Sequence, residues 1–467
     1  MIQFFKLSDR VFYCVSYAVF ALPLILFYTY FIPAFQVPDE SSHFARAYQL
    51  AQGEFFPTKQ ADPSVPGEFT VGGTTDPGIY LAAQKLTYMQ FNAAVKLTPG
   101  KAAEANAFRW REGEMRDTRS VSVNAPTFYV IPALGVMVGQ YLDWSIVETL
   151  TLSRLMSGLF CALLTCLAIF ALRRGFGVFF VLLLMPMTLA QMGSSSQDGI
   201  GFAVAALCVA LLSQLSPELP QRKRRVCLVW SVILMITLIS ARTPNAALSL
   251  FYLYFAYIYR ARTSLAIECC VAFVATWLAT IVWALYVALY VSVPFGLEGA
   301  NWGDQALFIL QSPLDWLSIL AESWRQRWDL YIYSFIGIVG HLDTPFPNSY
   351  YALTGLTLML AFFTGYLSET DTFFSSLRKQ ALVPCMIVAG TIVGIFLVLY
   401  ISWSPLRNPI IEGPQGRYFI PVALFLALGA SGKTLTGSRQ IVYRSLMLAF
   451  AAGTLIITPY VVMARYY

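Results

Sequence analysis

The chain has 467 residues, of which 57% are hydrophobic and only 12% charged, with a formal net charge of +6. An ordinary soluble domain carries about 25% charged residues, so with a mean hydropathy of +0.62 this composition excludes a large soluble core and points to a polytopic membrane protein. The positive charges fall in short clusters between apolar runs, which is an orientation signal and not a surface for nucleic acid.

The first apolar run, about residues 11 to 32, is too long for a signal-peptide core and reads as a retained signal anchor. Lys6 and Arg10 before it predict a cytoplasmic N-terminus. Residues 33 to 149 then form a long external loop that holds most of the acidic residues. Inside it, 125–141 (APTFYVIPALGVMVGQY) is apolar but shorter than the roughly 20 residues a span needs. Charge parity decides its role. If it spanned, Arg173-Arg174 and the clusters at Arg222–Arg225, Arg260/Arg262, Arg378-Lys379 and Lys433/Arg439/Arg444 would all lie outside. As a re-entrant or surface helix it leaves every one of them cytoplasmic.

Further spans are expected at 150–172, 175–192, 199–214, 226–241, 246–259, 264–293, 351–367, 381–402, 418–430 and 443–463. That makes about eleven transmembrane helices with the C-terminus outside. The other external segments are 193–198, 241–245, 294–350 and 403–417. The expected fold class is an all-α polytopic membrane protein, a single membrane-embedded domain over 1–467, with no internal repeat. In the second long loop, 313–329 (PLDWLSILAESWRQRWD) sets Trp316, Ile319, Leu320 and Trp324 on one helical face, opposite Ser318, Glu322, Arg325 and Asp329. This predicts an interfacial helix; a soluble helix packed on the loop is the plainer alternative. The eight cysteines lie in or beside apolar segments without zinc-type spacing, so they read as small buried hydrophobes with no disulfide framework.

The residues suited to chemistry sit at predicted span ends. Where the chain leaves the first span, 38–48 (PDESSHFARAY) brings two adjacent carboxylates, Asp39 and Glu40, together with His43 and Arg46. Pro38-Asp39 looks like a helix start with Asp39 as N-cap, and His43 shares its face. The functional reading is a general base, or a carboxylate holding a metal or a hydroxyl. The plainer reading, capping and solvation, is not displaced by spacing alone. Asp198, ending the turn Ser194–Gln197, is either a second acid or an N-cap. Arg242 and Arg417 stand outside at span ends, against the positive-inside trend. Their guanidinium forks suit phosphate, with snorkelling as the alternative. Residues 431–434 (SGKT) have the ending of a phosphate loop, but Ala427 stands where its first glycine belongs and a span precedes it.

Three stretches carry a family resemblance. Residues 38–48 with Gly53, 334–347 (SFIGIVGHLDTPFP) and 413–421 (GPQGRYFIP) resemble the opening, middle and late motifs of the bacterial multi-pass membrane family catalogued as domain of unknown function 2142. His341 stands where the middle motif carries Trp. That family resembles, more distantly, the membrane-embedded glycosyltransferases of the GT-C type. Those enzymes share a long first external loop with an early acid, surface-parallel helices and a polyprenyl-linked sugar donor; Asn124–Tyr129 sits where they carry a Pro-aromatic stretch. The resemblance implies a sugar transferase on the outer face of the bacterial plasma (inner) membrane, acting on a cell-envelope glycan or lipid-linked acceptor, with membrane lipids as its surroundings. On it, Asp39 and Glu40 are the catalytic pair, with Asp39 as base. His43, Arg46, Asp198, Arg242, Gln415, Arg417 and Tyr418 bind substrate. A divalent metal ion is the one cofactor it brings in. A transporter or flippase is the rival, but it needs ionisable or broken-helix sites at mid-membrane depth, and the predicted spans show few beyond Glu268. A non-catalytic binding partner for the same lipid-linked material is the third reading.

Overall fold

Long apolar runs satisfy their backbone hydrogen bonds internally only as helices. In the computed structural model, which describes residues 5, 7–61, 68–293, 297–364, 366, 380–430 and 435–467, the longest runs do so. In chain order the helices that matter for the site are α1 (Asp9–Phe31), α2 (Glu40–Ala51), α3 (Val130–Tyr141), α4 (Ile146–Ala171), α5 (Pro186–Met192), α6 (Gln197–Ser213), α7 (Gln221–Ala241), α8 (Thr263–Tyr286), α9 (Pro313–Ile336), α10 (Leu382–Ser402) and α11 (Gly437–Tyr466). Of these, α1, α4, α7, α8 with its π-turn extension to Val291, α10 and α11 are long and apolar enough to cross a membrane. The pair α5 and α6, bent by 111°, makes a seventh if counted as one span.

Among the described residues, six or seven helices able to cross a membrane replace the expected eleven, for local reasons. Run 175–192 breaks at Met185, whose extended backbone precedes Pro186. Run 246–259 opens inside a 3-10 turn, Thr243–Ser249, which leaves a nine-residue helix. Run 418–430 divides into short helical and 3-10 turns around Pro421. Runs 199–214 and 351–367 give helices of 17 and 16 residues, short of the roughly 20 a bilayer requires. Much of this apolarity is interior. Nearly all of α6 and the short helix Phe176–Leu184 are buried, and a helix apolar all round belongs in a core.

The structure is not purely α. Between α2 and α3 the strands β1 (Thr58–Ala61), β2 (Phe69–Thr75) and β3 (Glu114–Asp117) pair antiparallel in that order. A second, two-stranded pairing joins β4 (Ile338–Val339) to β5 (Thr344–Pro345). Segment 125–141 folds as a 3-10 turn, Pro126–Tyr129, followed by the 12-residue α3. It lies against the first turns of α4. A Cβ at Gly139 would overlap Thr149, and one at Gly135 would meet Ser153 Oγ at 2.6 Å, a small-residue approach of the kind that packs membrane helices closely. Helix α9 extends beyond the expected 313–329 and kinks at Arg327. Trp316 is buried and Ile319, Leu320 and Trp324 half-buried, while Arg325 and Asp329 face out. All eight cysteines are free. Residues 431–434, Lys6 and Arg378-Lys379 lie outside the described residues.

Candidate functional site

The site begins at a tight exit from α1. Glu40, the first residue of α2, is fully buried and turned away from its neighbour Asp39. Its carboxylate takes Arg154 of α4 bidentately, Nε to Oε1 at 2.8 Å and Nη2 to Oε2 at 2.5 Å. It also accepts the backbone N–H of Phe35 at 3.1 Å and of Ser195 at 3.2 Å. The remaining Arg154 N–H groups bond the carbonyls of Thr29, Ile32 and Pro33. A buried ion pair holds only when its other lone pairs and protons are satisfied as well, and here they are. The pair ties α1, the 33–40 turn, α4 and the Ser194–Ser196 turn into one frame.

On that frame Asp39 adopts φ 60, ψ 10 and makes no capping bond. An N-cap aspartate in extended backbone turns its side chain onto the helix's free N–H groups; in the left-handed conformation Asp39 instead sends its carboxylate outward. Arg417 meets it, Nη2 to Oδ2 at 2.8 Å. Arg417 lies in the turn Gly416–Phe419, and a Cβ at Gly416 would overlap the backbone of Tyr331 and Phe335 in α9. Glycine is therefore what seats this turn on α9, where Ser334 Oγ accepts the Gly416 N–H at 2.8 Å.

Asp198 completes the cluster. The side chain capping α6 is Ser196, which accepts the Asp198 N–H, so the Asp198 carboxylate is free for arginines. Arg242 Nη2 donates to Oδ1 at 3.0 Å, and Arg417 Nε stands 3.5 Å from Oδ2. Arg242 also lies flat on Tyr418, its Cζ 3.5 Å from the ring centre, and Arg417 reaches the same ring at 5.5 Å. Cation–π contact of this kind holds a guanidinium plane in one orientation. Arg242 and Tyr418 also line an apolar groove of about 390 Å³, together with Ala284 of α8, Ala288 of its π turn, and Val398 and Leu399 of α10.

The cluster is under-satisfied. Arg417 is 2% exposed, yet its Nε and Nη1 have no hydrogen-bond partner among the described residues. The same is true of Gln415 Oε1, Ser195 Oγ, Gln197 Oε1 and His341 Nδ1. Buried polar atoms are nearly always paired, and six of the described atoms that are not lie in the segments that meet here. Asp39 itself stays open, with 60% of its side chain exposed. It sits in a recess crowded by protein: desolvation is the largest influence and raises its pKa, but Arg417, His43 and His341 outweigh it and hold the carboxyl below its ordinary 3.8. His43 is buried, and that burial lowers its pKa against the pull of Asp39 and Asp198.

Asp39, Asp198, Arg242, Arg417 and Tyr418 thus converge, with His43 and Gln415 beside them. Two expected site residues do not join. Glu40 is committed to Arg154, and Arg46 bonds Gln49 and the carbonyls of Glu54 and Phe55, closing the chain after α2. Both have one cause, a tertiary partner that takes up the side chain. Sequence reasoning overlooked Arg154, although a single arginine inside an apolar run is a signal in its own right. The donor set does not fit a divalent ion. Both free carboxylates are on arginines, and no group of three His, Cys, Asp or Glu side chains among the described residues converges as a metal requires.

A family model described as a predicted membrane protein (DUF2142) matches residues 22–426. No curated protein and no solved structure matches.

Proposed function

We propose, from the premise that the chain belongs to the DUF2142 family of predicted membrane proteins, that it is a glycosyltransferase whose donor is a polyprenyl-phosphate sugar. The acceptor is a glycan or lipid-linked glycan at the outer face of a bacterial plasma membrane, and the plan is that of the GT-C enzymes. The observation that carries the reading is the junction at Arg242 and Tyr418. There Arg242, stacked on Tyr418 beside the buried and under-satisfied Arg417, lines an apolar groove between α8 and α10. Donors only, in a fixed fork, suit a phosphate, and the groove beside them suits a hydrocarbon chain.

Asp39 is the base. In the ligand-free arrangement Arg417 holds its carboxylate, which weakens it for that task, since a general base works best with a pKa near the working pH. An incoming phosphate competes for the same N–H groups. Once Arg417 turns to the phosphate, the attraction that depresses Asp39 is shared, and its proton affinity rises in the direction catalysis needs. The acceptor oxygen then bonds to the anomeric carbon as that carbon's bond to the phosphate oxygen breaks. The acceptor proton goes to Asp39, and the electron pair leaves on polyprenyl phosphate, held by Arg417 and Arg242. A positioned base contributes about 10²- to 10⁴-fold.

The test is sugar transfer by the protein in nanodiscs, given short-chain polyprenyl-phosphate sugars. Asp39→Asn is expected to lower turnover by at least about 100-fold with binding retained, and Arg417→Ala to lose binding. Full turnover in Asp39→Asn rejects the base. One observation favours a second reading, a transporter for the same lipid. The bent pair α5–α6 places Asp198 at a helix break, as discontinuous helices do in transporters. Saturable binding and vesicle-to-vesicle movement without released polyprenyl phosphate would decide for it.

A further inference from the structure

The chain has two histidines, and both act electrostatically on Asp39. His43 carries the sharper information. Its Nδ1 lies 2.9 Å from Tyr129 Oη. That same oxygen accepts a hydrogen bond from Asn124 Nδ2 at 3.3 Å. Asn124 Nδ2 can only donate into that oxygen, so among the described residues the one acceptor within reach of the phenol proton is His43 Nδ1. Tyr129 is fully buried, and burial raises its pKa, so it stays a neutral donor. Nδ1 is then an acceptor, and the neutral ring carries its hydrogen on Nε2. No partner for Nε2 exists among the described residues. The charges around the ring are Asp39, Asp198, Arg417 and Arg242.

A phosphate asks for donors alone; a sugar hydroxyl asks for one donor and one acceptor. Arg417 and Arg242 supply the first pattern. The His43 Nε2–H and the exposed Asp39 carboxylate, whose charge acts on that ring, together supply the second. We propose that His43 and Asp39 form a hydroxyl-reading half of the site, selective for the sugar over the bare lipid phosphate, and that Tyr129 and Asn124 are positioning residues that set the polarity of the His43 ring. This rests on the transferase reading only for where the phosphate lies.

With two histidines, ¹⁵N-imidazole labelling gives two sets of signals, and His341→Gln identifies which is His43. The free protein is expected to show His43 as the Nε2–H tautomer at neutral pH, and Tyr129→Phe to release it to a mixture. In the same nanodiscs, binding of a short-chain polyprenyl phosphate is compared with that of the same lipid carrying a hexose. His43→Ala and Tyr129→Phe are expected to weaken the hexose-bearing lipid by about three- to tenfold, the value of a hydrogen bond, and to leave the bare phosphate unchanged; His43→Gln, which keeps an N–H, restores part of the loss. An Nδ1–H tautomer in the wild type, or equal weakening of both lipids, overturns the inference alone. A wild type that binds neither lipid overturns the transferase reading and this inference with it.

Discussion

Asp39 shows what one backbone angle does to a side chain. At φ 60 a residue with a bulky Cβ is strained, whereas Asp and Asn tolerate this region because their short polar chains fit it. Asp39→Asn is accordingly the substitution that removes the charge without disturbing the turn. Sequence reasoning found the residue and its place at the helix start, but left capping and an outward, chemically available acid both open. A cap and an outward acid share one spacing and differ only in φ. The histidines give this scale its pH prediction. Burial is the largest influence on both rings and lowers both pKa values below 6.5; Asp39 opposes it at each, helped by Asp198 at His43 and Asp343 at His341, while Arg417 lowers both and Arg242 lowers His43. Between the folded and unfolded values the unfolded chain binds more protons, so stability falls as pH drops through 6.5 and levels off below the folded values. Asp39, held below 3.8, contributes its loss only at more acid pH. The melting temperature of the solubilised protein is expected to fall between about pH 7.5 and 5.5. The double variant His43→Gln/His341→Gln is expected to flatten that slope; an unchanged slope assigns it to other groups.

Among the elements, the turn Gly416–Phe419 is the one whose sequence dictates its seat. Ordinary helix signals miss it, because the decisive fact is the absence of a side chain facing α9. Adding one there forces a Cβ against the α9 backbone, which cannot yield as a flexible side chain can. Gly416→Ala is expected to cost about 1–3 kcal/mol, the usual range for overpacking, and to weaken polyprenyl-phosphate binding by displacing Arg417. Gly355→Ala is the control. A Cβ there meets nothing within 4 Å, so its melting temperature stays level or rises slightly. Equal behaviour of the two variants would show that the α9 contact does not set the arginine. Helix α9 itself was legible in part. Its inner face was written in the spacing of Trp316, Ile319, Leu320 and Trp324, whereas its continuation past the kink at Arg327 depends on packing that no local pattern records.

Over the whole molecule, residues 378 positions apart meet at one point, Asp39 and Arg417. The charged members were legible one by one because charge at the ends of apolar runs is scarce here and stands out. Their partnerships were not, since Glu40–Arg154 and His43–Tyr129 exist only once distant segments pack. Span counting failed for a related reason: hydropathy reads apolarity alone, and α6 is apolar because it is buried in protein. On the proposed reading, a lipid reaches these charges along the groove beside Arg242. The groove beside Arg242 is lined on the α8 side by Ala284 and Ala288 among larger neighbours, where the span ends in a π turn, a local irregularity often found at functional places. If a hydrocarbon chain lies there, bulk in the groove excludes the chain while leaving the phosphate's contacts alone. Ala288→Trp is expected to weaken a long-chain polyprenyl-phosphate sugar by about tenfold or more, the scale of a few buried methylenes. It should leave a one-isoprene analogue nearly unaffected, as measured by binding in nanodiscs. Arg417→Ala is expected to weaken both. If Ala288→Trp weakens the two lipids alike, the groove serves the fold and not the chain, and the lipid must approach Arg417 from elsewhere.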